Sequence, residues 1–98
     1  MVRLIGLWTE PADIDAFEHD YLGSHFPRLR GLAGSQAAMT SRCIEGRYFR
    51  LTEVIFSSTD DLNTALETDL GKEIMAGARS VAEKYGVQLE VLVVADAA

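Results

Sequence analysis

The segment Val2-Arg3-Leu4-Ile5-Gly6-Leu7-Trp8-Thr9 has the length of one β-strand and is apolar on both alternating sets, Leu4 and Trp8 on one and Ile5 and Leu7 on the other. Neither face of such a strand suits water. The chain that must cover both faces has 98 residues, enough for one domain over residues 1–98 and for no second unit to carry a cofactor. A domain of this size buries only about 60–70 % of the surface its unfolded chain exposes. Its one cysteine, Cys43, excludes an internal disulfide and any CxxC metal knuckle, which fits a reducing cytoplasm. Part of the missing cover is therefore expected from a partner chain.

The remaining elements follow from periodicity. Glu10-Pro11-Ala12-Asp13 supplies a turn and a helix N-cap, after which Ile14, Phe17, Tyr21, His25 and Leu29 recur at helical spacing. Pro27 removes the bond to the carbonyl of residue 23 and predicts a kink at Gly23. Two strand-like segments, about 35–44 and 47–56, are joined by Glu45-Gly46, a two-residue hairpin signal. Ser58 and Asp61 have capping-box spacing ahead of Leu62, Ala65 and Leu66, a short helix. Thr68-Asp69 opens a second helix through Leu70, Ile74, Ala78, Val81 and Tyr85, which Gly86 stops. Val87 to Val94 alternates at first and then turns continuously apolar, a strand whose end is expected to be buried on both sides.

The order β-α-β-β-α-β is the ferredoxin-like pattern, an α+β fold with helices on one face of a four-stranded antiparallel sheet. The other face is left bare. Because the sheet is apolar on both faces, stacking two copies face to face into a homodimer is the simplest closed solution.

Composition narrows the partners. Forty-eight per cent of residues are hydrophobic and 24 % charged, a globular composition that excludes a disordered chain or a transmembrane protein. Nine basic against fifteen acidic residues give a net charge of −6, and the arginines do not cluster, so no nucleic-acid partner is expected. The apolar run at Val2–Trp8 is too short for a signal peptide and reads as a strand, so the expected location is cytoplasmic.

Tyr21-Leu22-Gly23-Ser24-His25-Phe26-Pro27, followed by Gly31-Leu32, resembles the Y-x-x-x-H-x-P … P-G-L stretch of the EthD-like proteins. Glu53 to Leu62 with Ala65-Leu66 is similar to that family's E-x-x-F-x-s-x-e-d-l-x-x-A-L. The resemblance covers nearly the whole chain, in register with the elements above. It implies a dimeric α+β barrel, a superfamily holding muconolactone-type isomerases, cofactor-free monooxygenases and polyketide-modifying enzymes beside many members of unknown activity. Two positions depart from the pattern. Arg30 replaces the usual Pro before Gly31-Leu32, and Gly77 stands near where many members carry an acid in the last helix.

His25 is the leading candidate for chemistry. Its phase on the Phe17–Tyr21–Leu29 stripe points the ring between helix and sheet, where the resemblance implies a pocket for a small apolar or aromatic molecule. There it is either a general acid or base working near neutral pH or a core histidine bonded to a backbone carbonyl. Tyr21, one turn earlier, is a candidate hydrogen-bond donor to a carbonyl or enolate oxygen, or else a packing aromatic. Glu53 sits between Leu51 and Ile55 and needs a partner if buried, with Arg50 or Arg47 expected to pair with it; because the family motif contains it, it is the second candidate for proton transfer. Trp8, Tyr48 and Phe56 are candidate pocket walls. His19, flanked by Glu18 and Asp20, belongs to a solvated face, and two histidines six apart on different faces do not share a metal. Cys43, expected in a strand, reads as an inert buried thiol. With neither GxGxxG nor GKS/T after a strand, nucleotide phosphate binding has no support, and no cofactor is expected in a chain of one small domain. The function implied is cofactor-free proton transfer by His25, with a non-catalytic binding or accessory protein as the alternative.

Overall fold

The computed structural model describes residues 1–96. Strand β1 (Val2–Thr9) leads into helix α1 (Ile14–Asp20), a π-turn (Tyr21–His25) and helix α2 (Phe26–Leu29). Strands β2 (Ser35–Arg42) and β3 (Tyr48–Phe56), helices α3 (Thr59–Glu67) and α4 (Asp69–Lys84), and strand β4 (Leu89–Ala95) follow. The strands form one antiparallel sheet in the order β2-β3-β1-β4, so the chain has the expected ferredoxin-like α+β fold. The caps sit where the side chains can make them. Asp13 accepts from the Ala16 amide, Ser58 from Asp61 and Thr68 from Gly71, each satisfying a donor that the first helical turn leaves free.

The helical path from Ile14 to Leu29 does not break at Gly23. Instead the Phe26 N–H reaches back five residues to the Tyr21 carbonyl, so the expected kink takes the form of one widened turn. Pro27, with no N–H to offer, sits just beyond it at the start of α2, where the α-helical ladder is already interrupted. The wide turn leaves Leu22, Gly23 and Ser24 outside while Phe17, Tyr21, His25 and Leu29 all point into the core.

Register sorts the strand side chains. Leu4 faces Val54, Gly6 faces Thr52 and Trp8 faces Arg50 on the helix side, while Ile5, Leu7, Leu51 and Ile55 share the opposite face with Met39 and Leu92. That outer face is apolar and half-open: Met39 is 44 % and Leu92 43 % exposed. The extents, 36 × 30 × 17 Å, are those of one sheet and one helical layer.

Three local expectations are corrected. The hairpin loop runs over residues 43–47 rather than two residues, because Cys43 N–H bonds the Phe49 carbonyl and Gly46 takes φ +99° in a wider turn; Cys43 therefore lies just past β2, half-buried. Strand β4 is not buried on both sides. It is an edge strand, and Val91 and Val93 stand 44 % and 54 % exposed. Glu53 pairs with Arg3 (3.8 Å) across the outer face, because β1 lies beside β3 and presents Arg3 on that side; Arg50, an odd number of residues away, points to the other side and binds Glu18.

Gly71 marks the tightest approach in the helical layer. A Cβ there would run into the Ala65 carbonyl oxygen and come within 2.7 Å of the Leu66 Cα at the end of α3. Gly→Ala inside a helix ordinarily gains about 1 kcal/mol. At Gly71 the overlap reverses the sign: Gly71→Ala is expected to lose roughly 1–3 kcal/mol in urea unfolding.

Candidate functional site

Trp8, from the centre of the sheet, touches three rings of the helical layer: Phe17, Tyr21 and His25, at centroid separations of 5.7, 5.3 and 5.7 Å. His25 is 6 % exposed, yet no hydrogen bond joins it to another described residue. The carbonyl partner that a purely structural histidine would take is missing. Burial pushes the imidazole below its ordinary value of 6.5, with a smaller contribution from the positive charge of Arg28, so the ring is neutral at pH 7.

The ring separates two openings. On the inner side lies an apolar cavity of about 40 Å³ walled by Leu4, Gly6, Trp8, Thr52 and Ile74. It holds no more than a few waters, so an aromatic molecule does not fit inside it whole. However, Met75, Ala78, Leu89 and Val91 are walls of both this cavity and a groove of about 360 Å³ between α4 and the exposed edge strand β4. On the outer side His25 borders a second groove of about 260 Å³ with Ser24, Arg28 and Gly77. A Cβ at Gly77 would stand 3.7 Å from His25 Nδ1, so the glycine leaves open the place beside the ring where an acidic side chain would otherwise project.

The other sequence candidates are dispersed. Tyr21 is fully buried, and its ring centroid lies 5.8 Å from that of His25. Its hydroxyl turns to the sheet, bonding Thr40 Oγ1 (2.9 Å) and Thr52 Oγ1, and burial pushes its pKa up. Glu53 is on the outer face with Arg3, across the sheet from His25. Of the three expected pocket walls, Trp8 lines the cavity, Phe56 is fully buried in the core, and Tyr48 bonds Glu90 near the β2–β3 loop. His19 is solvent-exposed. Residues not singled out in the sequence complete the site: Thr52 and Gly6. A polar residue on the same alternating set as Val54 and Phe56 was the available signal for Thr52, since that set faces the core.

The histidine ties stability to pH. With a folded-state pKa below 6.5, the unfolded chain takes up the proton first, so stability is full above about pH 7 and declines as pH falls through 6.5. Urea unfolding between pH 7.5 and 5 is expected to show this decline, and His25→Asn to flatten it.

No family model and no curated protein sequence matches the chain. Solved structures do. An ethyl tert-butyl ether D (EthD) family protein from Bacillus halodurans C-125 superposes with a TM-score of 0.90 at 26 % identity, covering 99 % of both chains. A DABB family protein with a ferredoxin-like fold from Mesorhizobium loti MAFF303099 has TM-score 0.78 at 10 % identity, over 99 % of this chain and 97 % of that one. SnoaB, a cofactor-independent oxygenase from Streptomyces nogalater, has TM-score 0.69 at 11 % identity, over 99 % and 93 %. The last two share the fold alone. The motifs at Tyr21–Pro27 and Glu53–Leu66 lie on a fold that matches an EthD family protein from end to end, so the chain is similar to that protein over its whole length.

Proposed function

We propose that the protein is a cytoplasmic homodimer that binds a small apolar or aromatic molecule between α4 and the sheet, with His25 moving a proton on it in a cofactor-free isomerisation, decarboxylation or oxygenation. The observation that carries this reading is the His25 ring itself: buried, neutral, without a protein hydrogen-bond partner, and forming the wall between an apolar cavity and an outer groove. A neutral imidazole with both nitrogens uncommitted is chemically equipped to accept a proton on one and donate from the other. SnoaB, with the same fold, is a cofactor-independent oxygenase. The outer sheet face supports the dimer, since Ile5, Leu7, Leu51, Ile55, Met39 and Leu92 form a patch that a second copy would cover by two-fold stacking.

One observation favours a second reading. Gly77 supplies no carboxylate to orient or charge-stabilise the imidazole, as a general base usually requires. A non-catalytic binding or accessory protein would use the same cavity without that need.

Both readings place ligand in the same spot. In a heteronuclear NMR titration with naphthalene, the shifts are expected to concentrate at Gly6, Trp8, His25, Ala78 and Leu89; scattered or absent shifts would overturn the pocket. On a turned-over substrate, His25→Ala is expected to cut kcat by about 10²-fold or more with little change in Kd, and the wild-type rate to fall as pH drops below the folded pKa of His25. Undiminished turnover in His25→Ala would remove His25 from the chemistry, and binding without any turnover in the wild type leaves the binding role. Light scattering is expected to give twice the 10.7 kDa chain mass, and Leu51→Arg to give a monomer. A wild-type monomer at micromolar concentration would remove the dimer.

A further inference from the structure

Beside His25 and the Trp8 indole, the cavity wall carries one polar side chain, Thr52, and that hydroxyl is wired to a buried cation. Trp8 Nε1 donates to Thr52 Oγ1 (3.0 Å), and Thr52 and Tyr21 share the next hydrogen bond. Tyr21 meets Thr40 Oγ1 at 2.9 Å, and Arg50 Nη1 donates to that same Thr40 oxygen at 3.0 Å. Arg50 gives its other edge, Nε and Nη2, to the Glu18 carboxylate at 3.2 and 2.6 Å, so the pair turns its positive side to the hydroxyl chain. Arg50 and Thr52 are 6 % and 7 % exposed. Such a polar line through an aromatic core is costly unless every member is satisfied.

Proton counting fixes its direction in the empty site. Each hydroxyl has one proton to give. Thr40 gives its own to the Leu51 carbonyl (3.1 Å), so Tyr21 donates to Thr40 and Thr52 donates to Tyr21. Thr52 thereby turns its proton away from the cavity, toward Tyr21, the one partner of its hydroxyl that can accept. The opposite setting is equally well connected: Arg50 to Thr40, Thr40 to Tyr21, Tyr21 to Thr52, and Thr52 into the cavity. It costs the bond to the Leu51 carbonyl and gains one to whatever oxygen lies at Thr52. No proton changes its oxygen; the three hydroxyls only rotate. Gly6 keeps Thr52 approachable, since a Cβ there would lie 3.6 Å from Thr52 Cβ and 3.3 Å from Trp8 Nε1.

Building on the ligand-binding reading above, we propose that Thr52 is the terminal donor of this chain to an anionic oxygen, phenolate or enolate, on the bound molecule, with Arg50 polarising it through Thr40 and Tyr21. Charge-assisted bonds in a water-poor cavity are the strong ones, and a chain of donors aligned from a cation strengthens each link. The ligand class follows: an apolar or aromatic body in the α4–β4 groove with one acidic hydroxyl or enolisable carbonyl directed at Thr52. Tyr21 acts as a positioning residue and does not touch the ligand.

The test uses the intact protein with p-nitrophenol, whose phenol and phenolate forms differ in absorbance, and p-nitrotoluene as its uncharged counterpart. Bound p-nitrophenol is expected to titrate about one unit below the free probe, a tenfold preference for phenolate. Thr52→Val removes the shift, and Tyr21→Phe, which keeps the Trp8–Thr52 bond but severs the link to Arg50, removes at least half of it. Should Thr52→Val not fold, Tyr21→Phe decides alone. An unshifted or raised pKa, or a shift that survives in the folded variants, overturns the proposal while p-nitrotoluene binding keeps the cavity as a ligand site. Should neither probe bind, the cavity reading itself has failed and the proposal falls with it.

Discussion

Tyr21 holds the two layers of this molecule in register. Its ring packs among Trp8, Phe17 and Phe26, and its hydroxyl crosses to Thr52 on β3 and Thr40 on β2. An aromatic body in the helical layer and a polar tip bonded to the sheet resist sliding of one layer over the other, which apolar contact alone does weakly because it has no direction. Arg50 braces the same tip, with its guanidinium 5.2 Å from the Tyr21 ring. The ion pair to Glu18 then anchors α1 to β3. Such a buried pair adds little net stability but makes other registers expensive.

The π-turn places His25 relative to that anchor. Four residues after Tyr21, on a turn widened by one backbone step, the imidazole stays on the inner side of the helix yet clear of the hydroxyl chain. Tyr21 is thereby committed to the sheet and His25 is left without a partner. One interruption of the helical ladder, at the residues just before Pro27, thus separates a hydroxyl committed to the sheet from an imidazole left without a side-chain partner. The edge position of β4 completes the arrangement: with no strand beyond it, the wall it forms with α4 stays open as a groove.

Much of this was legible in the residues. The apolar stripe of Phe17, Tyr21, His25 and Leu29, the caps at Asp13, Ser58 and Thr68, and the stop at Gly86 are local signals read by local physics, and each appears in the structure. The errors share one cause. Proximity in sequence pairs Glu53 with Arg47 or Arg50, but across an antiparallel sheet its neighbours belong to β1 and β2, so Arg3, fifty positions away, takes the role. Continuous apolarity in β4 implies double burial, yet the sheet order puts that strand at the edge. Thr52 passed unnoticed because a lone threonine in a strand has no chemical signature until its partners are known.

By itself the sequence determined the ferredoxin-like order of elements and the doubly apolar sheet, because spacing of side chains along one segment decides which face is greasy. It also singled out His25. Only the tertiary structure decided which polar groups meet: that Tyr21 is bonded away from the cavity, that Thr52 and Gly6 shape it, and that Gly77 leaves the space beside His25 open. Hydrogen bonds and ion pairs act over a few ångströms and join residues distant in the chain, so their partners exist only once the layers are stacked.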